Sequence, residues 1–178
     1  MQEIKIRKSY LIIGFVILAL ISFFFLPKFT GNAVKETTIN LGVAKDFSLQ
    51  TTEGESITLS QFKGKVVILQ AMASWCPSCK LQAQQIKPLY EKYANDGLIV
   101  ISLDIQPERS SLQELNNFKA NFGGDWYFGF YPEFINLYGI RSLDSKVIID
   151  KKGNIAYRDD TITTTENLDK ILKPLLET

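Results

Sequence analysis

Histidine is absent from all 178 residues. That removes the usual general base at neutral pH, the commonest metal ligand, and every Ser-His or Cys-His nucleophile. Cysteine is nearly absent, with Cys76 and Cys79 alone. Two cysteines build no disulfide framework, though they can bond to each other. Neither sign of charge is in excess: 20 Lys and Arg against 19 Asp and Glu leave +1. No global field favours nucleic acid or an acidic partner, so no nucleic-acid role is expected. Internal repeats and low-complexity tracts are also missing. A hydrophobic fraction of 46% supports a real core, and the length suits about one domain beside an apolar N-terminal segment.

That segment is Tyr10 to Leu26, YLIIGFVILALISFFFL, with no charge in it. Its residues at ~1.5 Å rise reach about 26 Å, near the lower limit for a ~30 Å hydrocarbon core. Lys5, Arg7 and Lys8 precede it, and Pro27 and Lys28 end it. More cationic residues before than after predict a cytoplasmic N-terminus and an extracytoplasmic remainder. The expected organisation is a basic cytoplasmic stub over residues 1–9, a transmembrane signal-anchor over 10–27, a linker over 28–40 and a folded domain over 41–178. The expected location is the plasma membrane, single-pass. The competing reading is secretion after cleavage near Ala33, where Gly31-Asn32-Ala33 offers small residues. The apolar run is longer than the ~7–15 residues of a signal peptide, which favours retention. No cysteine follows directly, which argues against a lipoprotein anchor.

Within the domain, Phe47 to Gln50 and Ser56 to Leu59 alternate apolar and polar residues around Glu53-Gly54, which predicts a β-hairpin. Ser60 to Lys65 reads as a short helical turn stopped by Gly64. Val66 to Ala71 (VVILQA) reads as a buried central strand. From Pro77 to Asn95 the positions Leu81, Ile86, Leu89, Tyr90 and Tyr93 suit a helix that Pro88 kinks. Leu98 to Leu103 is a second buried strand. Ser110 or Ser111 caps a helix to about Phe122, with Leu112, Leu115, Phe118 and Phe122 on one face. The aromatic segment Asp125 to Tyr131 reads as strand and loop at the core edge. A short helix over Pro132 to Tyr138, a hairpin of Val147–Asp150 with Ile155–Tyr157, and a last helix capped by Thr164 or Thr165 complete the chain. The sum is an α/β domain with a mixed sheet and helices on both faces.

The cysteines fall where a buried strand gives way to a helix, as Trp75-Cys76-Pro77-Ser78-Cys79. There the first sulfur lies beside unpaired backbone N–H groups and the positive end of the helix dipole, and both favour thiolate over thiol. The second sulfur lies one turn later on the same face. Cys76 can attack a substrate disulfide, and Cys79 can attack the resulting mixed disulfide to release product. Run backwards, the pair donates a disulfide, and the reduction potential decides direction. Pro77 and Ser78 help set that potential through local geometry and access. A purely structural disulfide is the plainer alternative, but so short a loop gains comparatively little from closure. Two thiolates without histidine or a second Cys-x-x-Cys cannot complete a tetrahedral metal site within one chain. No metal and no cofactor is therefore expected.

These residues resemble the active site of thioredoxin-fold proteins of the TlpA/ResA type. The motif after VVILQAMAS is similar to that family's cysteine block. DFSLQTTEGESITLSQFKGKVVILQ is similar to its opening hairpin, and YGIRSLDSKVIIDKKGNI to its later block. The resemblance spans residues 40 to 178. It implies a thioredoxin-like fold with an N-terminal β-hairpin extension and a mid-domain insertion. It also implies extracytoplasmic thiol-disulfide exchange on protein substrates through a redox-active Cys76–Cys79 disulfide. A membrane electron donor or acceptor would serve the dithiol. Trp75, Pro77, Leu143 and Asp144 are the implied substrate contacts.

The departures from that family are as informative. A cis-proline faces the cysteines in the family, and Asp144 stands in its place, after Leu143. A cis peptide before a non-proline residue costs ~3–4 kcal/mol, so a trans Leu143–Asp144 bond and a reshaped loop are expected. The Asp144 side chain has three readings: facing solvent, opposing thiolate formation, or accepting a proton. The acids that thioredoxins and their ResA-like relatives place near the cysteines are Gln70 and Gln82 here, and a helix proline is Gln84. Two other functions remain open. The opening block is shared with peroxiredoxin-like peroxidases, but their chemistry wants a threonine where Ala73 stands. A metal or iron–sulfur carrier would need to share the cysteines across a dimer.

Overall fold

The computed structural model describes residues 41–178; the expected stub, anchor and linker over 1–9, 10–27 and 28–40 lie outside the described residues. Among the described residues no helix is long and apolar enough to cross a membrane.

The chain opens with the expected hairpin, β1 (Ser48–Gln50) against β2 (Ser56–Thr58), antiparallel. A 3₁₀ turn at Leu59–Phe62 follows, and Gly64 takes φ +84°, which a side chain would strain. β3 (Val66–Met72) is buried along its whole length. It occupies the middle of a five-stranded sheet, in the order β5 (Tyr127–Phe130), β4 (Leu98–Asp104), β3, β6 (Lys146–Ile149), β7 (Ile155–Asp159). β4 runs parallel to β3, from Val66 opposite Leu98 to Met72 opposite Asp104. β6 runs antiparallel, with Gln70 opposite Lys146. A central strand is apolar on both faces because both are covered. Ile68 and Leu69, on opposite faces, are wholly buried, and each such side chain contributes about 1.5–3 kcal/mol.

One face is covered by α1 (Pro77–Tyr93), α2 (Leu112–Phe122) and α4 (Thr165–Glu177), through Ala83, Ile86, Leu89, Leu115, Phe118, Leu168 and Leu172. The other carries the hairpin and the short α3 (Phe134–Tyr138), through Leu49, Ile57, Phe134 and Tyr138. Ser111 caps α2 in a reciprocal box with Glu114, and Thr164 caps α4. Two apolar residues expected on inner helix faces point outward instead. Leu81 is 53% and Leu112 52% exposed. Gln82 and Ala83 take the inner positions of α1.

The segment before the hairpin and the hairpin itself reach the outer strands. Leu41 N–H donates to Ile155 O, Ile155 N–H to Gly42 O and Ala44 N–H to Gly153 O along the start of β7. At the other side Thr52 N–H donates to Phe128 O, and Thr51 bridges Gly129. A β-carbon at residue 129 would lie 2.6 Å from Gln50 O. Glycine is needed there for that approach.

Candidate redox site

β3 ends at Met72, and the next residues turn into α1 with Cys76 as its N-cap. Pro77 fills the first helical position, where a missing N–H costs nothing. Cys76 and Cys79 form a disulfide with Cα atoms 5.3 Å apart. Cys79 N–H donates to Cys76 Sγ at 3.3 Å, and Ser78 Oγ lies 3.2 Å from the same sulfur. On reduction both donors stabilise negative charge on Cys76. Both cysteines are buried, Cys76 with 3% of its surface exposed and Cys79 with none. Trp75 is exposed beside them, with the Arg109 guanidinium 3.8 Å over its ring.

The loop ahead of Cys76 is held from β4. Because Met72 and Asp104 share a register position, the Asp104 carboxylate reaches under the turn. It accepts from Ser74 N–H at 3.0 Å and from Gln106 N–H at 2.9 Å. Ser74 Oγ donates to Ser110 Oγ at 2.9 Å. Burial pushes the Asp104 carboxyl above its ordinary range, against the lowering effect of those hydrogen bonds.

The loop ahead of β6 lies on the other side. Asp144 N–H donates to Ala71 O at 3.0 Å, and Ala71 N–H to Ser145 O at 2.8 Å. The Leu143–Asp144 peptide is trans, as expected, and Leu143 is half-buried, packed against both cores. Asp144 has φ +75°, alone among the described non-glycine residues in taking a positive value. Its side chain does not face solvent: the residue is 7% exposed. Its Oδ1 is buried without a hydrogen-bond partner. A carboxylate oxygen of Asp144 and the sulfurs of Cys76 and Cys79 all lie within 4.8 Å of one another. While the disulfide is closed neither sulfur is a thiolate, so this state offers a metal only the carboxylate.

Lys146 fixes this loop from below. Its Nζ is wholly buried, donates to Asp144 O at 3.0 Å and to Thr161 O, and pairs with Asp159 Oδ1 at 2.6 Å. Burial holds the ammonium below its usual value, and Asp159 opposes that shift. Tyr157 donates to Asp159 Oδ2 at 2.7 Å, and burial with that carboxylate pushes its phenol up to about 12.

The two glutamines are structural. Gln82 Nε2 donates to Thr163 O at 3.2 Å, and Thr163 N–H donates back to Gln82 Oε1 at 2.7 Å. Gln70 Oε1 accepts from Ser102 Oγ at 3.2 Å, and that hydroxyl accepts from Trp126 Nε1 at 3.0 Å. The structure thus gathers Cys76, Cys79, Trp75, Pro77 and Asp144 at one end of the sheet, while Leu143 packs into the core. Pattern reading missed Asp104 and Lys146. The available signal was a charge ending one apolar strand and a charge beginning another.

A family model described as Redoxin matches residues 40–172. The chain is similar to the thiol-disulfide oxidoreductase ResA of Bacillus thuringiensis, 28% identical over 155 residues, covering 83% of this chain and 85% of that protein. It is also similar to a Citrus sinensis protein described as a "Probable phospholipid hydroperoxide glutathione peroxidase", 28% identical over 156 residues, covering 75% and 93%. Among solved structures, a thioredoxin-like protein from Aeropyrum pernix matches with a TM-score of 0.63 and 32% identity, covering 72% of this chain and 89% of that one.

Proposed function

The chain belongs to the Redoxin family and is a thioredoxin-type thiol-disulfide oxidoreductase; we propose that it acts outside the cytoplasm, tethered to the membrane by residues 10–27. Its substrates are protein thiols and disulfides. Cys76 is the attacking residue and Cys79 the resolving one. The observation that carries this assignment is Cys76 at the head of α1, with the Cys79 N–H and Ser78 hydroxyl on its sulfur and Cys79 wholly buried behind it. The donors that favour a thiolate lie on Cys76, which is also the less deeply buried of the two residues, and a resolving thiol needs only its partner. Trp75 and Pro77 flank the point of attack and are the proposed substrate contacts, and a membrane protein exchanges electrons with the dithiol.

Trapping tests the roles. Full-length Cys79→Ser expressed in its membrane should accumulate protein mixed disulfides, visible on non-reducing gels and cleared by reductant. Cys76→Ser should accumulate none. Equal trapping by both variants, or by neither, would overturn the assignment. Labelling of the reduced protein in intact cells by a membrane-impermeant maleimide tests the location, and intact mass separates a retained anchor from cleavage near Ala33. The similarity to the Citrus sinensis protein favours a second reading, hydroperoxide reduction. Ala73 in place of threonine argues against it. Peroxide turnover faster than disulfide exchange would promote it.

A further inference from the structure

Resolution of a mixed disulfide requires Cys79 to lose a proton, and its neighbours are mostly committed elsewhere. Gln70 and Gln82 are amides and accept no proton at neutral pH. Asp104 is engaged by the Ser74 and Gln106 N–H groups, and Asp159 by the Lys146 ammonium. Histidine is absent. Asp144 is different. It lies with both sulfurs in a cluster 4.8 Å across, it is buried, and its Oδ1 has no hydrogen-bond partner. A buried acceptor left unpaired costs free energy, and such an atom calls for a chemical explanation. The charged groups around its loop are Lys146, whose Nζ holds the Asp144 carbonyl, and Asp159 and Asp160, which act on the same ammonium.

We propose that Asp144 is the proton acceptor of the resolving step, an inference that rests on the exchange chemistry assigned above. In the mixed disulfide, Cys76 Sγ is bonded to a substrate sulfur and Cys79 is a thiol. The Cys79 proton passes to the Asp144 carboxylate. The resulting thiolate attacks Cys76 Sγ, and the Cys76–substrate bond breaks with its electron pair on the departing sulfur. That sulfur takes the proton back from Asp144. The dithiol loses two electrons to the substrate, and the carboxylate is regenerated. Run in reverse, the protonated carboxyl supplies Cys79 with its proton when the disulfide opens. The present separation closes by a small side-chain shift or through one water.

The test uses reduced full-length protein in detergent with an aromatic disulfide, 5,5′-dithiobis(2-nitrobenzoate). Attack by Cys76 releases one coloured thiolate, and resolution by Cys79 releases the second. At pH 6–7, Asp144→Asn should slow the second release by about 10²-fold, the lower end of general-base effects. The first release should stay within about twofold. The gap should narrow as pH rises, and Asp144→Glu should recover part of the rate. A second release in Asp144→Asn at the wild-type rate and pH profile overturns the proposal. So does equal slowing of both releases. Asp144→Gly, which suits the positive φ and lacks the carboxylate, carries the test if the asparagine variant melts at assay temperature. Failure of the exchange chemistry itself looks different: wild type would then release no second thiolate at any pH.

Discussion

Asp104 and Asp144 leave the sheet at the same end, one on each side of β3, and both carboxylates are buried. Their surroundings are opposite. The oxygens of Asp104 accept backbone N–H groups that fix the turn into α1. One oxygen of Asp144 accepts nothing, and its backbone sits at a φ that ordinary side chains avoid. A satisfied buried carboxylate is what architecture alone requires. An unsatisfied one on a strained backbone makes the fold less stable, and its place beside the sulfurs is the compensating feature. The contrast separates a loop built for shape from a loop built for chemistry.

Five substitutions break or sharpen this contrast. The largest effect belongs to Asp144→Pro, which restores the residue type of the resembled family. It should destabilise the oxidised protein by ~3 kcal/mol or more in urea, since it deletes the Asp144 N–H bond to Ala71 O and demands φ near −65°. Wild-type stability would mean that the loop can revert. Asp104→Ala comes next. Orphaning the Ser74 and Gln106 N–H groups should cost about 1–3 kcal/mol, read from the denaturation midpoint. Asp104 also predicts a pH slope. Its folded value is raised, so between the unfolded and folded values the native state binds more protons. That contribution is fully present below the unfolded value and lost as pH rises through the folded one, and Asp104→Asn should flatten it.

Asp144→Gly should move stability the other way, upward by about 1 kcal/mol, because glycine relieves a positive φ at that order of cost. A loss of stability there would show that the carboxylate holds the loop. The smallest effect is that of Arg109→Ala, under ~1 kcal/mol from the exposed stack on Trp75. Its readout is a change in tryptophan fluorescence with little change in melting.

Much of this fold was legible in residue patterns. Runs such as VVILQA and LIVISL read as strands covered on both faces, and the structure extends each by one residue; Ser111, Gly139 and Thr164 mark helix ends by local hydrogen bonding or backbone freedom. The cysteine pair was legible for the same reason: its chemistry is carried within four consecutive residues. What escaped depends on partners far along the chain. Gln82 is buried, and Leu81 is not, because the backbone of Thr163 needs an amide there, 81 residues away. Lys146 is buried because Asp159 and two carbonyls converge on it from other elements. Asp144 is buried on a backbone of positive φ, which composition and periodicity do not encode.

The contacts that residues 41–52 make with the start of β7 and with β5 have a consequence for association. Open strand edges invite a neighbour to extend the sheet, in productive assembly or in aggregation. Here the protein's own leading segment sits against both outer strands, so neither presents an unbroken ladder. A β-carbon at residue 129 would prise the hairpin from β5 and uncover one side. The sheet therefore has little bare backbone at the start of β7 and at β5 for a neighbouring strand to pair with.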